Sequence, residues 1–233
     1  MKAVILAGGK GTRLKPYTTV LPKPLVPVGE KAILEILINR LKKAGVDEIY
    51  ICLNHFAEII MAFFGNGEKF GIKINYSLED KPLSTIAPIK LIKGLPDHFL
   101  VMNGDLLTDL DFADLYNKHL ESNALLTVST YKRTVKVDFG VIDIDKITNQ
   151  ATGFREKPEY NFQVSMGVNV LSKKILDIVP ENEAFGFDNL MYKLLENNER
   201  INTYSYEGYW LDIGRPDDYE KANEDFEKLN INF

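Results

Sequence analysis

The sequence predicts an α/β fold with a mixed, mostly parallel central sheet flanked by helices. Short apolar runs rich in β-forming residues recur along the first half of the chain, separated by stretches with helical periodicity. Alternation of this kind requires crossover connections, which place parallel strands side by side. Strand-forming runs become more frequent between residues 124 and 172, so we expect the sheet to be mixed.

The expected elements can be read in order along the chain. Residues 3–7 form a short, continuous apolar run, typical of a central strand covered on both faces. Residues 32–44 place apolar side chains at helical spacing and end near Gly45, which predicts an amphipathic helix. The other expected strands are 48–54, 72–79, 98–105, 124–133, 139–145 and 164–172, and the other expected helices are 57–64, 187–195 and 216–229.

Composition indicates a globular protein and limits the kinds of partner that we expect. The 233 residues, 45% hydrophobic and 26% charged, allow one large α/β domain or two small ones with a sizeable core. The net charge of −5 provides no basic surface, so nucleic acid is not an expected partner. No signal-peptide pattern or run of about 18 apolar residues suggests a membrane. The single cysteine, Cys52, excludes an internal disulfide and is typical of the cytoplasm.

A glycine-rich turn follows the first predicted strand. Gly8, Gly9 and Gly11 remove side chains there, which exposes backbone N–H groups and lets an anion approach closely. Arg13 adds a planar charged group suited to phosphate. The spacing matches neither a P-loop nor G-x-G-x-x-G, because Leu14 occupies the third glycine position, which disfavours an ATPase or an NAD-dependent dehydrogenase. We expect polyphosphate binding, with a simple chain turn as the alternative.

Two charged residues stand at positions that could serve chemistry. Lys23 lies between two prolines, whose stiff backbone could aim it at a fixed point, although taken alone an exposed loop lysine is the better interpretation. Asp105 directly follows an apolar run, and open α/β sheets bind ligands at the ends of such strands. A carboxylate there suits Mg²⁺, with an Asx turn or helix cap as the alternative.

Two later motifs add further candidates. Asp212 stands among Trp210, Leu211 and Ile213, where burial would be costly unless a cation met the carboxylate; a metal shared with Asp105 would explain it economically. The stretch 154–158, FREKP, holds an acid and a base before a proline. These could bind sugar hydroxyls and a phosphate, and a surface turn is equally plausible.

Taken in order, LAGGKGTRL, the KP of LPKPLVPV, NGD, EKP and WLDIGRP make the chain resemble the sugar-1-phosphate nucleotidyltransferases over nearly its whole length. The opening motif with its downstream Lys-Pro is highly specific for that family, whereas NGD or EKP alone is not. The resemblance implies one Rossmann-like domain over residues 1–233, without a left-handed β-helix. Its nucleotide-binding part would be residues 1–110 and its sugar-phosphate-binding part residues 111–233.

The resemblance also implies a reaction. A sugar 1-phosphate oxygen would attack the α-phosphorus of a nucleoside triphosphate, releasing pyrophosphate and forming a nucleotide sugar. Such transfer depends mostly on positioning and charge neutralisation. Mg²⁺ would be the cofactor, a hexose or heptose 1-phosphate the acceptor, and GTP the favoured triphosphate, with CTP, UTP and dTTP open.

Site residues follow from the resemblance position by position. Arg13 would neutralise the pyrophosphate, Lys23 would stabilise charge on the α-phosphate, and Asp105 and Asp212 would hold Mg²⁺. The residues implied to line the nucleotide are Leu6, Gly8, Gly9, Gly11, Thr12 and Thr85. The residues implied to bind the sugar phosphate are Gly140, Glu156, Lys157 and Asn169.

One segment departs from the family pattern. Where many relatives read PLGTAG, this chain has Ser84, Ile86 and Ala87 in place of glycine, alanine and glycine, and keeps Thr85. If a relative's glycine there has positive φ, Ser84 or Ala87 would be strained and the loop must take another path. In relatives this segment approaches the nucleobase, so the change bears on base choice.

Three alternatives stay open beside the main hypothesis. A non-catalytic nucleotide-sugar sensor would not need a pair of metal carboxylates, and a dehydrogenase is disfavoured by the missing glycine. Cytidylyl transfer to a non-sugar phosphate shares the nucleotide end, whereas FREKP and WLDIG favour a sugar. We further expect a cytoplasmic protein of nucleotide-sugar and polysaccharide biosynthesis, and a homodimer is possible on this sequence.

Overall fold

The computed structural model describes residues 1–229, within which the chain forms thirteen strands and five α-helices. The strands are β1 Lys2–Leu6, β2 Pro27–Val28, β3 Lys31–Ala32, β4 Glu48–Leu53, β5 Lys73–Leu78, β6 His98–Asn103, β7 Leu106–Thr108, β8 Leu126–Lys136, β9 Val141–Ile144, β10 Ala151–Arg155, β11 Glu159–Ser172, β12 Ile201–Tyr206 and β13 Trp210–Asp212. The helices are α1 Ile33–Lys43, α2 Ala57–Phe64, α3 Phe112–Ser122, α4 Phe187–Glu196 and α5 Pro216–Leu229.

The central sheet has seven strands in the order β12-β8-β11-β6-β1-β4-β5. Strands β6, β1, β4 and β5 pair in parallel, and β12 pairs in parallel with β8. Strand β11 runs antiparallel to both of its neighbours, β6 and β8. The prediction of an α/β fold with a mixed, mostly parallel sheet is confirmed.

Neighbouring residues of β1 pack into different cores on the two faces of the sheet. Ala3 and Ile5 belong to a cluster that includes buried residues of α1, α2 and α3. Val4 belongs to a second cluster with Leu190 and Leu194 of α4. Because alternate side chains of a strand point to opposite faces, β1 needs apolar residues on both faces, as its sequence has from Ala3 to Leu6.

The pairing of β1 with β6 determines where the glycine turn and Asp105 leave the sheet. Leu6 lies opposite Asn103 in this parallel pair, and the backbone N–H of Gly104 donates to the Leu6 carbonyl at 3.0 Å. The glycine turn and Asp105 therefore leave the sheet side by side, at the carboxyl ends of adjacent strands. Open α/β sheets bind their ligands at this edge.

A small second ladder brings the C-terminal motif to the same edge. Strand β13 pairs antiparallel with β7, with Asp212 opposite Leu106. The backbone N–H of Ile213 donates to the carbonyl of Asp105 at 3.1 Å. Residues more than 100 positions apart in sequence thus become neighbours.

Strands β8 and β11 continue beyond the sheet as a two-stranded ribbon. Strand β12 covers β8 only as far as Tyr131, whereas β8 and β11 stay paired out to Lys136 and Glu159. The β9–β10 hairpin follows at the outer end of this ribbon. Five large apolar side chains between residues 139 and 154 are more than half exposed, namely Phe139, Ile142, Ile144, Ile147 and Phe154.

Helix predictions agreed well with the structure, with one omission. Predicted helices 57–64 and 216–229 are observed with those bounds. Predicted helix 32–44 is one residue shorter at each end, and predicted helix 187–195 is one residue longer at its C-terminal end. Helix α3 was not predicted, although Asp111 supplies a readable start: its carboxylate accepts from the N–H groups of Ala113 and Asp114, both at 3.0 Å. In the part of the chain that is described, no helix is both long and apolar enough to cross a membrane.

A buried histidine lies between α3 and the sheet. His119 is 1% exposed, and its ring nitrogens share hydrogen bonds with His98 Nδ1 at 2.9 Å and Thr127 Oγ1 at 2.8 Å. Burial, followed by the nearby His98, lowers the pKa of His119 to about 4. Folding therefore favours the neutral ring.

We predict that acid destabilises the protein through His119. Because its pKa is lower folded than unfolded, the stabilisation is complete above about pH 6.5 and is lost as the pH falls toward 4. Urea unfolding should show a loss of about 2 kcal/mol between pH 7.5 and 5 from this group. A His119→Gln variant should lose about 2 kcal/mol less unfolding free energy than the wild type over the same pH interval. Equal losses in both proteins would contradict the assignment.

Candidate active site

Two adjoining cavities open at the carboxyl edge of the sheet. The first, here the glycine cavity, has a volume of about 420 Å³ and is lined by the glycine turn, Lys23, Asp105 and loop 82–88. The second, here the Trp210 cavity, has a volume of about 360 Å³ and is lined by residues of β6, β8, β11 and β13. Leu6, Thr85 and Asn103 line both cavities. Two ligand groups could therefore lie next to each other across these shared residues.

The glycine turn is held in place at one end and open at the other. Gly11 has φ +61°, and a side chain there would approach Thr18 Cγ2 to 3.1 Å and Lys23 Cβ to 3.2 Å. The Thr18 hydroxyl donates to the Gly11 carbonyl at 2.7 Å, which fixes the turn. At Gly9, by contrast, an added Cβ would meet nothing within 4 Å. Internal packing therefore does not explain Gly9, whereas close approach of a ligand to its backbone would.

Predicted nucleotide residues divide between the cavity wall and its surroundings. Leu6, Gly8, Gly9 and Thr85 line the glycine cavity. Gly11 and Thr12 come next in the turn but do not contribute to its wall. Thr12 instead begins the short 3₁₀ helix Thr12–Leu14, which anchors the turn through buried Leu14.

Lys23 is directed at a carboxylate. It begins the 3₁₀ helix Lys23–Leu25, with Pro22 before it and Pro24 within it. Its ammonium forms an ion pair with Asp105 Oδ2, and the two side chains are only 12% and 21% exposed. The rigid Pro-Lys-Pro segment thus delivers one fixed positive charge to the edge of β6.

Asp105 and Asp212 form a pair of acids with unused oxygens. Oδ1 of each is buried and has no hydrogen-bond partner within the described chain. Burial, followed by the charge of Asp105, raises the pKa of Asp212, while Lys23 and Arg13 oppose that rise. Such oxygens lack a positive partner, and a hard cation would supply one.

The donor set fits Mg²⁺ bound partly by substrate. Among residues 1–229, no cluster of three or more His, Cys, Asp or Glu side chains could hold a metal alone. Mg²⁺ commonly takes one or two protein carboxylates and completes its shell with water and substrate phosphates. Asp105 and Asp212 match that pattern.

Arg13 lies at the rim, beside the segment that carries Asp212. Its guanidinium is close enough to Gly214 that an added Cβ there would lie 3.7 Å from Nη2. The side chain is exposed and lines neither cavity. Its positive charge opposes the rise in the pKa of Asp212 that burial and Asp105 cause.

The unusual loop 82–88 takes a strained conformation at Ser84. Ser84 has φ +69°, a left-handed backbone that favours glycine, whereas Ala87 begins the 3₁₀ helix Ala87–Leu91. The loop is clamped to residues 185–187: Ile86 and Ala87 donate to the Phe185 carbonyl at 3.0 and 3.1 Å, and Phe187 donates to Thr85 Oγ1 at 2.8 Å. The loop thus keeps the glycine-type conformation at the serine, and these bonds compensate for the strain.

Glu79 is a site residue that the motif analysis missed. It directly follows β5, lines the glycine cavity, and accepts from the Leu83 N–H at 2.9 Å through Oε2. Oε1 lies 3.1 Å from where a Gly8 side chain would begin. Burial raises the pKa of the Glu79 carboxyl. The signal that could have found it is its position at the carboxyl end of a parallel strand.

The four predicted sugar-phosphate residues do not come together. Asn169 lines the Trp210 cavity, is 6% exposed, and its Oδ1 has no partner within residues 1–229. Gly140, Glu156 and Lys157 are exposed at the junction of the ribbon and the hairpin and line neither cavity. A Cβ at Gly140 would lie 3.3 Å from Glu156 Oε2, so those two are neighbours. The cavity wall instead includes Arg133, which motif analysis missed because it belongs to no motif.

We predict that Ser84→Gly stabilises the protein by about 0.5–1 kcal/mol, because glycine adopts the left-handed backbone without steric cost. Urea unfolding measures the change. The control is Ser205→Gly in β12, where φ is not positive and glycine should destabilise by a similar amount. A Ser84→Gly protein less stable than the wild type would contradict strain at this loop.

The chain is similar to known proteins over nearly its whole length. The nucleotidyl transferase family model matches residues 2–228. Mannose-1-phosphate guanyltransferase of Yarrowia lipolytica is 33% identical over 226 residues, covering 94% of this chain and 62% of that protein. UTP–glucose-1-phosphate uridylyltransferase of Synechocystis is 31% identical over 242 residues, covering 95% and 62%. The chain spans about three fifths of the length of these curated relatives.

Solved structures show the same similarity. HddC from Yersinia pseudotuberculosis has a TM-score of 0.73 at 32% identity, with 97% of this chain and 99% of that chain covered. A putative glucose-1-phosphate thymidylyltransferase from Bacillus anthracis shares the fold, with a TM-score of 0.77 at 24% identity over 100% of this chain and 97% of that one. With the match over residues 2–228 and the identity to HddC, these findings show that the chain belongs to the nucleotidyl transferase family.

Proposed function

We propose that the protein is a Mg²⁺-dependent sugar-1-phosphate nucleotidyltransferase that favours GTP. The observation that carries the proposal is the pair Asp105 and Asp212, each with a buried Oδ1 that has no partner in the described chain. Asp105 lines the glycine cavity and Asp212 lines the adjoining Trp210 cavity. Names of relatives support the reaction class, since both a guanyltransferase and a uridylyltransferase of sugar 1-phosphates are similar to this chain.

In this mechanism, the triphosphate lies in the glycine cavity and the acceptor in the Trp210 cavity. An acceptor phosphate oxygen forms a bond to the α-phosphorus, and the α–β phosphoanhydride bond breaks to release pyrophosphate. Backbone N–H groups at Gly8 and Gly9 face the phosphates, and Asn169 Oδ1 accepts from a sugar hydroxyl. Catalysis then rests on positioning and charge neutralisation.

Positive charge at the reacting phosphate comes from fixed groups. Lys23 stands within the glycine cavity on a stiff segment and stabilises negative charge that develops on the α-phosphate. Arg13, at the rim beside Asp212, meets the departing pyrophosphate. Asp105 and Asp212 would hold Mg²⁺, which supplies Lewis-acid neutralisation of phosphate oxygens when bound.

Glu79 supports guanine as the base. A carboxylate offers only acceptors, and the Watson–Crick edge of guanine offers two adjacent N–H donors. Uracil and thymine offer one N–H between two carbonyl oxygens, which a carboxylate would repel. Burial raises the pKa of the half-buried Glu79 carboxyl, and the N–H donors of guanine would favour its ionised form. HddC from Yersinia pseudotuberculosis, 31% identical over 97% of this chain, was solved with GMP-PN.

The first experiment measures pyrophosphate release with Mg²⁺, crossing five nucleoside triphosphates with hexose and heptose 1-phosphates. One strong pair would identify the base and the sugar together. No release from protein that binds a triphosphate would contradict the proposed transfer and favour the sensor alternative.

We predict that Asp105→Asn and Asp212→Asn each lower kcat by at least about 100-fold, because each removes one charge from the metal pair. Circular dichroism and thermal unfolding check that the fold is kept. A control, Asp47→Asn, removes a surface carboxylate 74% exposed at its side chain and should leave the rate unchanged. Near-normal rates in both site variants would remove the metal assignment.

We predict that Glu79→Gln shifts base preference away from GTP. A glutamine offers both a donor and an acceptor, so it no longer selects against carbonyl oxygens on the base. The ratio of kcat/KM for GTP to that for UTP should fall about 10- to 100-fold. Asp80→Asn is the matched control, because the neighbouring Asp80 is exposed and does not line the glycine cavity. An unchanged ratio for Glu79→Gln would exclude Glu79 from base selection.

A further inference from the structure

The Trp210 cavity presents a charge problem for the acceptor of the proposed function. A sugar 1-phosphate carries nearly two negative charges at neutral pH, and the acid on this cavity's wall is Asp212. Lys23 lines only the glycine cavity and is already paired with Asp105. Lys157, the residue that the family resemblance implies for this phosphate, lines neither cavity. The acceptor therefore needs another positive group.

Arg133 is the basic side chain among the residues that line the Trp210 cavity. It lies in β8 opposite Phe162 of β11, on the same ribbon face as Tyr131, whose ring centroid is 5.3 Å from that of Trp210. The ribbon face that carries Arg133 is thus the one that continues into the cavity. Within residues 1–229, its guanidinium makes no ion pair or hydrogen bond, so all five donors remain available.

The other basic residues of this region are engaged or point elsewhere. Lys136 forms an ion pair with Glu159 at 2.7 Å, and Arg155 forms one with Asp143 at 2.8 Å. Lys132 is adjacent to Arg133 in the strand and so points to the opposite face of the ribbon. Among these residues, Arg133 alone combines a free charge with a place on the cavity wall.

We infer that Arg133 binds the phosphate of the acceptor sugar 1-phosphate, an inference that rests on the proposed function. A planar guanidinium can donate two parallel hydrogen bonds to phosphate oxygens, which fixes the orientation of the phosphate as well as its charge. Arg133 lies on the acceptor side and Lys23 on the nucleotide side. The acceptor phosphate is then held from one side and the α-phosphate from the other.

Steady-state kinetics of four variants test the inference. Arg133→Ala should raise KM for the sugar 1-phosphate about 10- to 100-fold while KM for the triphosphate stays within about twofold. Arg133→Lys should raise KM for the sugar 1-phosphate by less, because lysine keeps the positive charge but cannot donate two parallel hydrogen bonds. Lys132→Ala is the matched control: it removes one positive charge from the same strand and should leave both KM values unchanged. Lys157→Ala tests the rival residue.

Calorimetric titration gives a readout independent of turnover. Wild-type protein is titrated with mannose 1-phosphate and with free mannose, and so is Arg133→Ala. Arginine-dependent affinity for mannose 1-phosphate, with no such dependence for mannose, supports the inference even if no pyrophosphate is released, in which case only the proposed function fails. Active enzyme in which Arg133→Ala leaves KM unchanged, or in which only Lys157→Ala raises it, overturns the inference and leaves the function standing. Wild type that neither binds mannose 1-phosphate nor turns over any sugar 1-phosphate overturns both.

Discussion

Two like-charged carboxylates held at one buried sheet edge are the constraint on which the candidate site depends. Burial and the charge of Asp105 raise the pKa of Asp212, and each of the two side chains leaves one buried oxygen without a partner in the described chain. The chain offsets this cost with Lys23 paired to Asp105 and with Arg13 acting on Asp212. Folding alone would not select such an arrangement, because removing both acids would relieve the desolvation. A bound cation, together with the phosphates that it would bind, would explain why two acids are held so close together.

The two halves of the site rest on supports of different stiffness. The glycine cavity is built on β1 and β6, which are paired on both sides, and on the edge strand β5. The Trp210 cavity is completed by the β8–β11 ribbon, which projects beyond the sheet and is followed by a hairpin with exposed apolar side chains. A two-stranded ribbon on its own is a weak support. Positions of residues in the outer part, such as Lys157, therefore depend least on the central fold.

Loop 82–88 places a serine where the backbone favours glycine. Ser84 adopts the left-handed backbone that a glycine would take without strain. Hydrogen bonds from Phe187 to Thr85 and from Ile86 and Ala87 to Phe185 hold the segment in place. The strain is confined to one residue, and the hydrogen bond between Phe187 and Thr85 joins segments about 100 residues apart in sequence, so a distant part of the chain holds the loop against the cavity.

Sequence pattern alone predicted the class of the sheet, the bounds of four helices to within one residue at each end, and the meeting of the glycine turn with Asp105. Strands such as β1 are recognisable in the sequence as continuous apolar runs. Because the carboxyl ends of parallel strands share one edge of the sheet, the glycine turn and Asp105 could be predicted to lie together. Helix α3 was missed although its Asp111 cap was readable. Which side chains line the cavities follows only from the folded chain, because those side chains come from distant parts of the sequence. Glu79 and Arg133 belong to no motif, yet both line the cavities. Glu156 and Lys157 belong to a motif, yet both lie outside the cavities. The reason is that strand pairing and the length of the ribbon, rather than local sequence, set where these backbone segments run.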